Sequence, residues 1–532
     1  MSETAQHDVV ILGGGLAGLC LAMQLKKRFG DLDIVVLERN RHPLPPAAHK
    51  VGESSVEIGA DYFERVLELR EHLDAAHIRK FGFRFFWSEG RSDLEGVTEL
   101  GVSTVMPTPT WQLDRGILEN HLGECVRALG IAFLDGATVR GVDLGEGDDL
   151  HTVRASVAGE DRSFKARWVI DASGRAGLLK RKLGLAESSG HDANSVWFRI
   201  DAKLAIDDWC DDREWTARCE PAERWRSTNH LCGPGYWVWL IPLGSGAHSV
   251  GIVCDAAMHP LETMNSFERA LEWLRKYQPL VADACEAGRD RLMDFKFLRG
   301  YSHSCKQVFS GDRWALTGEA GMFLDPFYSP GSDFIAISNT YICELISLDR
   351  AGKPLGPHAR LYEQLYFSFY TNTLSMFREQ YPLFGDAEVM SMKVIWDYTY
   401  YWGVLCLLVF QNRLTDVGLL GAMQKDLAEA AALNLDMQAF FRRWLEHSPG
   451  TNGPAWYDQQ ELDWFVAMNV RLHETLDDDG VRERLRGNVD LMRALAATTV
   501  ARARESCPDL DADGLPDTVS ATTPLFETAT CA

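Results

Sequence analysis

The pattern of apolar and polar positions predicts a strand, a glycine turn, a helix and a second strand within the first forty residues. Residues 9–12 form a short apolar run, Gly13-Gly14-Gly15-Leu16-Ala17-Gly18 follows, and a helical pattern continues to Arg28. A second apolar run at 34–37 ends at Glu38. Two buried strands joined by a helix are typical of a βαβ unit, so we predict an α/β, Rossmann-like fold.

The remaining chain changes character twice. Residues 80–300 mix turns with strand-like runs, clearest at 81–87, 236–241 and 249–254, and residues 361–504 follow a mostly helical period. We therefore predict a cofactor-binding domain at 1–345 with a mixed substrate-side sheet at about 80–110 and 190–300. A mostly helical substrate-covering domain follows at 346–505, and a tail rich in Pro, Asp, Thr and Ala at 506–532.

Composition and charge exclude several classes of protein. With 46% hydrophobic and 24% charged residues among 532, the chain is neither mainly disordered nor fibrous. The formal charge of −22 argues against nucleic acid and anionic membrane as partners. Twelve cysteines without a C-x-x-C pair give no zinc pattern, and residues 394–410 are too short and polar to span a bilayer. Since the polar residues 1–8 fit no signal peptide, we expect a soluble cytoplasmic protein without a metal.

The glycine turn has the spacing of a dinucleotide site. Gly13, Gly15 and Gly18 form G-x-G-x-x-G, in which the glycines permit a tight turn, approach of a pyrophosphate and close packing of helix on strand. Glu38 lies twenty residues after Gly18, where a carboxylate accepts hydrogen bonds from a ribose. That carboxylate would repel a 2′-phosphate, which favours FAD or NAD over NADP.

Three later segments favour FAD. They are Gln112-Leu113-Asp114-Arg115, which is similar to the arginine-bearing helix start of flavoprotein hydroxylases, residues 169–175 (V-I-D-A-S-G-R), and the run from Gly318 to Asp325-Pro326. Each segment alone would also suit a plain turn. Their order after the glycine motif indicates FAD. The sequence contains no second glycine motif, so we predict no separate nicotinamide domain.

Residues 237–242 read Trp-Val-Trp-Leu-Ile-Pro, which is the W-x-W-x-I-P signature of the flavin-dependent halogenases. Val51-Gly52-Glu53-Ser54-Ser55 also resembles a loop of this family, and the likeness extends over most of residues 7–345. Tyr328 stands where tryptophan halogenases carry a glutamate, so the chain resembles the phenol and pyrrole halogenases more closely. Trp237, Trp239 and Pro242 carry the motif, with core packing on one strand face as the alternative for the two tryptophans.

The resemblance implies an FADH2-dependent halogenase with O2 and chloride or bromide as co-substrates. In this family, hypohalous acid formed at the flavin passes through a tunnel to a lysine, which delivers halogen to an electron-rich aromatic. The substrate would be a phenol or pyrrole, either free or bound to a carrier protein, and a separate flavin reductase would supply FADH2. A flavin monooxygenase or dehydrogenase on the same fold stays open, and a non-catalytic flavin-binding scaffold is a more remote alternative.

Lys80 is the candidate catalytic residue, because it precedes a strand-like run, Lys80-Phe81-Gly82-Phe83-Arg84-Phe85, about where the family lysine does. Period two would place Phe81, Phe83 and Phe85 on one face and Lys80, Gly82 and Arg84 on the other, with space beside Lys80 at Gly82. A solvated lysine at a strand end is the alternative.

The resemblance implies two sets of binding residues. The cofactor set is Gly13, Gly15, Leu16, Ala17, Gly18, Glu38, Arg39, Gly52, Glu53, Ser54, Arg115, Val139, Asp325 and Gly331. The halide set is Ser329, Gly331 and Ser332. Pro330 lies inside the halide segment and has no N–H to offer, which supports the monooxygenase or dehydrogenase alternative.

The helical region carries an aromatic cluster that reads either as core or as the lining of a substrate pocket. Its members are Tyr381, Phe384, Trp396, Tyr398, Tyr400, Tyr401 and Trp402. Glu379 and Asp397 lie among them, and we expect both carboxylates to be solvated.

Overall fold

The computed structural model describes residues 4–46, 50–450, 452–516 and 525–526. The chain forms two compact units, each assembled from separate segments. The first unit comprises residues up to 76, 113–190 and 302–371, and the second comprises 77–112, 191–301 and 372 onward. The domain boundaries predicted at 345 and 505 stay a prediction, and most of the predicted tail beyond 516, including Cys531, lies outside the described residues.

A mixed sheet forms the centre of the first unit. Its main path runs in the order Ala132–Asp135, Ile34–Glu38, Thr4–Leu12, Glu160–Asp171, His151–Val157 and Ala137–Asp143, and Trp314–Leu316 also pairs with Glu160–Asp171. The pairs from Ala132–Asp135 to Glu160–Asp171, and the pair with Trp314–Leu316, are parallel, whereas the last two strands are antiparallel. The parallel core confirms the Rossmann-like prediction.

Helices of the first unit follow the strands as the sequence pattern indicates. They are Leu16–Arg28, Glu57–Asp61, Arg70–Ala76, Arg115–Ala128, Leu178–Lys182 and Gly331–Arg350, and Leu355–Ser375 continues the chain into the second unit. A two-stranded sheet pairs Ala186–Glu187 with Ser304–Cys305. The predicted helix end at Arg28 and strand end at Glu38 are both confirmed.

An eight-stranded, mainly antiparallel sheet forms the centre of the second unit. Its order is Leu292–Leu298, Ala193–Ile200, His248–Asp255, Tyr236–Pro242, Thr228–Gly233, Phe83–Phe86, Thr98–Gly101 and Ala455–Asp458. Ile78–Arg79 pairs separately with Trp111–Gln112. Ala455–Asp458 was not predicted, because this short strand is flanked by long helical segments and carries no periodic signal.

The helices of the second unit lie mostly in its C-terminal part, as predicted. They are Arg213–Ala217, Phe267–Tyr277, Pro279–Ala287, Ala387–Tyr400, Leu407–Phe410, Val417–Ala422, Gln424–His447, Asp463–Val470 and Asp478–Ser506. No helix in the described ranges has the length and apolar content needed to cross a bilayer. The cysteines of these ranges form no disulfide bond with one another.

Candidate active site

The glycine loop of the first unit combines two crowded glycines with one open glycine. Gly13 has φ +112°, and a Cβ there would lie 2.4 Å from the carbonyl oxygen of Ala172. At Gly18 a Cβ would lie 2.0 Å from the carbonyl oxygen of Gly13, whereas at Gly15 the nearest atoms are 4.0 Å away. The open position lies just before helix Leu16–Arg28, whose first turn carries no acidic residue. The loop therefore fits a pyrophosphate packed on Gly15 and the helix N-terminus.

Glu38 fixes the shape of this loop. Its carboxylate is buried and accepts the N–H of Gly14 at 2.7 Å and the N–H of Asn40 at 2.8 Å. A carboxylate has about four acceptor positions, so it keeps capacity for a ribose hydroxyl. Of two further predicted cofactor residues, Arg39 directly follows Glu38 and is exposed, and Val139 pairs with Ala155 in the antiparallel part of the sheet.

Three charged side chains meet beside the open glycine. Arg115 Nη2 donates to Glu119 at 2.6 Å, Arg115 Nη1 donates to the carbonyl oxygen of Val51 at 2.6 Å, and Lys50 also pairs with Glu119. Burial opposes the charge of Glu119, but Arg115 and Lys50 outweigh it and lower the pKa of this carboxyl. Glu119 was not predicted, although its position four residues after Arg115 on a helix is the spacing of an ion pair.

The predicted loop at 51–55 lies against this ion cluster. Gly52 has φ +83°, and a Cβ there would lie 2.9 Å from Arg115 Nη1. The carbonyl oxygen of Glu53 accepts the N–H of Leu113 at 2.6 Å, and both Glu53 and Ser54 are buried. The structure thus brings Gly15, Gly52 and Arg115 into one region, as the motifs predict.

The second flavin motif packs on the first helix. Gly318 has φ +60°, and its Cα approaches Ala17 so closely that a Cβ would lie 2.9 Å from the alanine methyl. Asn339 Nδ2 donates to the carbonyl oxygen of Ala17 at 3.2 Å, which ties the helix Gly331–Arg350 to the same place. Asp325 is buried and accepts the N–H of Phe327 at 2.9 Å, so at least one of its oxygens holds the turn that follows.

The predicted halide segment is reduced to two backbone donors. The N–H of Ser329 donates to the carbonyl oxygen of Pro326 at 2.9 Å, and Pro330 precedes the helix that begins at Gly331. Gly331 and Ser332 therefore supply the first N–H groups of this helix. A Cβ at Gly331 would meet no atom of the described chain within 4 Å, so this end of the helix is open.

Lys80 belongs to the second unit and is buried. It lies in the link between the strands Ile78–Arg79 and Phe83–Phe86, with 3% of its surface exposed, and its N–H donates to the carbonyl oxygen of Thr110 at 2.9 Å. Its Nζ lies over the ring of Phe83, 3.5 Å from the ring centroid. The solvated alternative for this lysine is excluded.

The predicted faces of this segment are wrong. Gly82 has φ +85°, so the chain turns there and the strand begins only at Phe83. Lys80 and Phe83 consequently lie on the same side instead of opposite sides. The space expected at Gly82 is restricted by a methyl of Val102, 3.3 Å from where a Cβ would be.

Aromatic rings surround Phe83. Its ring makes an edge contact with His230 at 5.2 Å between centroids and lies 6.1 Å from Tyr398. Tyr398 continues into Trp402 at 4.8 Å and Phe465 at 5.5 Å. The predicted pocket residues Tyr398 and Trp402 therefore reach the surroundings of Lys80, whereas Trp396 is fully buried and donates to Asn434 at 3.1 Å, as a core residue does.

Both motif tryptophans use their indole N–H groups inside the unit. Trp237 Nε1 donates to the Tyr381 hydroxyl at 3.1 Å, and Trp239 Nε1 donates to the Ser249 hydroxyl at 3.1 Å. Trp239 lies against Gly251, where a Cβ would lie 2.1 Å from its ring, and Pro242 ends the strand. These contacts favour the packing interpretation of the motif.

The two carboxylates of the helical region differ. Glu379 is exposed, as predicted, and lies 3.8 Å from Arg442. The prediction for Asp397 is wrong, because it is buried, pairs with Lys393 and accepts from Gln438 Nε2 at 2.7 Å. Burial lowers the pKa of Lys393, and Asp397 opposes that shift.

Comparison with known proteins gives the family. A family model described as tryptophan halogenase matches residues 102–354, and one described as an NAD(P)-binding Rossmann-like domain matches residues 11–75. The flavin-dependent halogenase chlA of Dictyostelium discoideum is 27% identical over 430 residues, which cover 75% of this chain and 70% of that protein. The 1H-pyrrole-2-carbonyl-[peptidyl-carrier protein] chlorinase of Pseudomonas fluorescens is 29% identical over 343 residues, covering 61% and 72%.

Solved structures share the fold. The halogenase PltM in complex with phloroglucinol and FAD superposes with a TM-score of 0.65 at 18% identity, over 92% of this chain and 96% of that one. A flavoprotein/dehydrogenase from Cytophaga hutchinsonii gives 0.57 at 20% identity, over 73% and 88%.

Together, the motifs, the fold and these relatives define a flavoenzyme of the halogenating class. The chain belongs to the flavin-dependent halogenases, and FAD is its cofactor.

Proposed function

We propose that this enzyme transfers electrophilic chlorine or bromine to an electron-rich aromatic carbon and that Lys80 presents the halogen. The observation that carries the proposal is a lysine that is 3% exposed with its ammonium group 3.5 Å from an aromatic ring centroid. A buried amine beside an aromatic ring is suited to hold a polar oxidant next to an aromatic substrate.

The residues of the glycine loop and of the ion cluster would hold the cofactor. Gly15 and the helix N-terminus would receive the pyrophosphate, Glu38 the ribose, and Arg115 would contribute positive charge beside them. Bound reduced FAD supplies, with O2 and halide, the two-electron oxidation that gives hypohalous acid. No second glycine motif is present in the sequence, so we propose a separate reductase as the source of FADH2.

Lys80 has two ways to present the halogen. Its ammonium group can donate a hydrogen bond to the oxygen of hypohalous acid, or its neutral amine can form an N–halogen bond with loss of water. In both cases the aromatic carbon attacks the halogen, and the bond from halogen to oxygen or nitrogen breaks. The ring proton is then lost, so that hypohalous acid and substrate give halogenated product and water.

Gly331 and Ser332 are the proposed halide donors. They offer the first N–H groups of a twenty-residue helix, where the helix dipole favours an anion. Pro330 contributes no donor, and the Ser329 N–H is already used by Pro326.

The proposed substrate is a neutral phenol or pyrrole, either free or tethered to a carrier protein. Phe83, His230, Tyr398 and Trp402 give this part of the second unit an aromatic lining. One relative is named for a pyrrolyl carrier-protein substrate, and one structural neighbour holds phloroglucinol. Tyr328 in place of a glutamate agrees with this choice over tryptophan.

Replacing Lys80 tests the function. Lys80→Met keeps the apolar stem and removes the amine, so we expect unchanged FAD binding and flavin oxidation. Product formation should fall by about 10²–10⁴-fold, the range typical of a lost proton-transferring or hydrogen-bonding group. Lys296→Met, at an exposed lysine, is the matched control and should keep full activity. Halogenation by Lys80→Met at the native rate would exclude the lysine role.

A flavin monooxygenase or dehydrogenase is the second candidate, because Pro330 and the occupied Ser329 N–H leave a small halide site. The mass of the product separates the two. Incubation of enzyme, FADH2, O2 and bromide with a phenol should give the bromine isotope doublet. Addition of one oxygen, or loss of two hydrogens, without the doublet would favour the second candidate.

A further inference from the structure

We propose that Phe83 is a positioning residue, whose ring holds the Lys80 ammonium group in the orientation used for halogen transfer. This inference rests on the role proposed for Lys80. It adds a residue that no motif in the sequence assigns.

The geometry fixes both partners. The Lys80 backbone is anchored by its N–H bond to Thr110, and the next residue, Phe81, donates its N–H to the carbonyl oxygen of Arg226 at 3.2 Å. The Phe83 ring is 2% exposed and is enclosed by His230, Tyr398 and Phe85, the last at 6.2 Å between centroids. A lysine side chain with four rotatable bonds is thus directed by a ring that itself cannot turn away.

The ring also influences which form of the amine is present. An aromatic face attracts an ammonium group and not a neutral amine, and the attraction strengthens when both are removed from water. Burial acts in the opposite direction and penalises the charge. Phe83 therefore shifts the balance toward ammonium, which is the form that donates hydrogen bonds to hypohalous acid.

The charged side chains next to this pair in the chain, and Arg226 beside them, have partners of their own. Arg84 pairs with Glu99, Arg226 pairs with Glu223 at 2.7 Å, and Arg79 Nη2 donates to the carbonyl oxygen of Met106 at 3.2 Å. His230 and Tyr398 are titratable groups whose rings contact the Phe83 ring.

Phe83→Leu is the test, because leucine keeps an apolar side chain and removes the π face. We expect hypohalous acid production, followed with a soluble halogen trap, to continue while halogenated substrate per FADH2 falls about tenfold. Phe83→Tyr keeps the ring and should restore most of the yield. Phe267→Leu is the matched control, because Phe267 is a buried ring of the same unit that packs on Phe198 at 5.1 Å, and it should keep the native yield.

The pH profile separates positioning from packing. Loss of the ring disfavours the ammonium form of Lys80 and so lowers its pKa. In the pH profile of halogenation, the limb that reports on Lys80 should therefore move to lower pH by about one unit in Phe83→Leu. In Phe83→Tyr the limb should lie at its native pH. A limb that stays in place, with yield lowered by one factor at every pH, would show that Phe83 only fills space and would overturn the inference.

Lys80→Met distinguishes failure of this inference from failure of the proposed function. Normal halogenation by Lys80→Met overturns both. If Lys80→Met is inactive and the pH limb of Phe83→Leu stays at its native position, only the role of Phe83 is overturned. The role proposed for Lys80 is then kept.

Discussion

The flavin-binding region of the first unit and the Lys80 region of the second unit differ in the groups that form them. The first depends on backbone: two glycines in close contact, one open glycine, and Glu38 holding two N–H groups. The second depends on side chains, with one cation on an aromatic ring and further rings behind it. A bound cofactor needs a fixed surface of donors, whereas halogen transfer needs a polar group that is shielded from water.

Buried charges are stabilised in more than one way. Glu119 is neutralised by two cations, and Lys393 by the carboxylate of Asp397. The Lys80 ammonium group lies over an aromatic ring, which stabilises an ammonium group without accepting its protons.

The largest effect is expected at Gly18, one of the two crowded glycines of the flavin-binding region. Gly18→Ala would place a Cβ 2.0 Å from a backbone oxygen, which cannot be relieved by a side-chain rotation. We expect destabilisation by about 3 kcal/mol and loss of FAD binding. Gly15→Ala, with no atom closer than 4.0 Å, should melt as the parent does but bind FAD about tenfold more weakly.

Thermal denaturation without FAD and fluorescence titration with FAD check this pair. Equal melting temperatures for Gly18→Ala and Gly15→Ala would contradict the contrast between a crowded and an open glycine. If Gly15→Ala binds FAD with native affinity, the pyrophosphate does not pack on Gly15.

A smaller effect is expected at the proposed halide site. Gly331→Ala adds a methyl into open space at the first turn of its helix, so folding should be unchanged. The added methyl would intrude on the anion, and we expect the KM for bromide to rise about tenfold, equivalent to about 1.4 kcal/mol. Gly487→Ala, another open glycine in a helix, is the control and should leave the halide dependence unchanged. An unaltered KM in Gly331→Ala would place the halide elsewhere.

The backbone-dependent region could be predicted well from the sequence. The spacing of Gly13, Gly15 and Gly18 indicates which backbone positions are crowded and which is open, and Glu38 follows at the expected distance. All of these residues lie within one short stretch of the chain. The predicted helix, ending at Arg28, and the strand that ends at Glu38 follow from the same periodicity.

The side-chain-dependent region could be predicted only in part. The position of Lys80 follows from the family pattern, but the face on which its side chain lies does not. Gly82 has φ +85° and breaks the strand alternation on which the face prediction depends. Asp397 was expected in solvent, although Lys393 lies four residues before it on the same helix, because burial and the contact with Gln438 depend on a distant helix. The partners of such side chains come from distant positions, which periodicity does not report.

The smallest expected effect concerns a histidine that supports the flavin motif. Burial, with smaller contributions from Lys180 and Arg175, lowers the pKa of His303 to about 4, and its Nδ1 accepts from Lys180, which also donates to the carbonyl oxygen of Gly321. The unfolded chain, with a histidine pKa near 6.5, binds the proton first, so this stability is present above about pH 6.5 and is lost as the pH falls toward 4. His303→Gln keeps an acceptor for Lys180 and removes the titration. We expect equal melting temperatures at pH 8 and a shallower decline for the variant below pH 6.5, by about 1 kcal/mol near pH 5.8. Parallel curves from thermal denaturation across this range would mean that His303 is protonated in the folded enzyme and that Lys180 is not its donor.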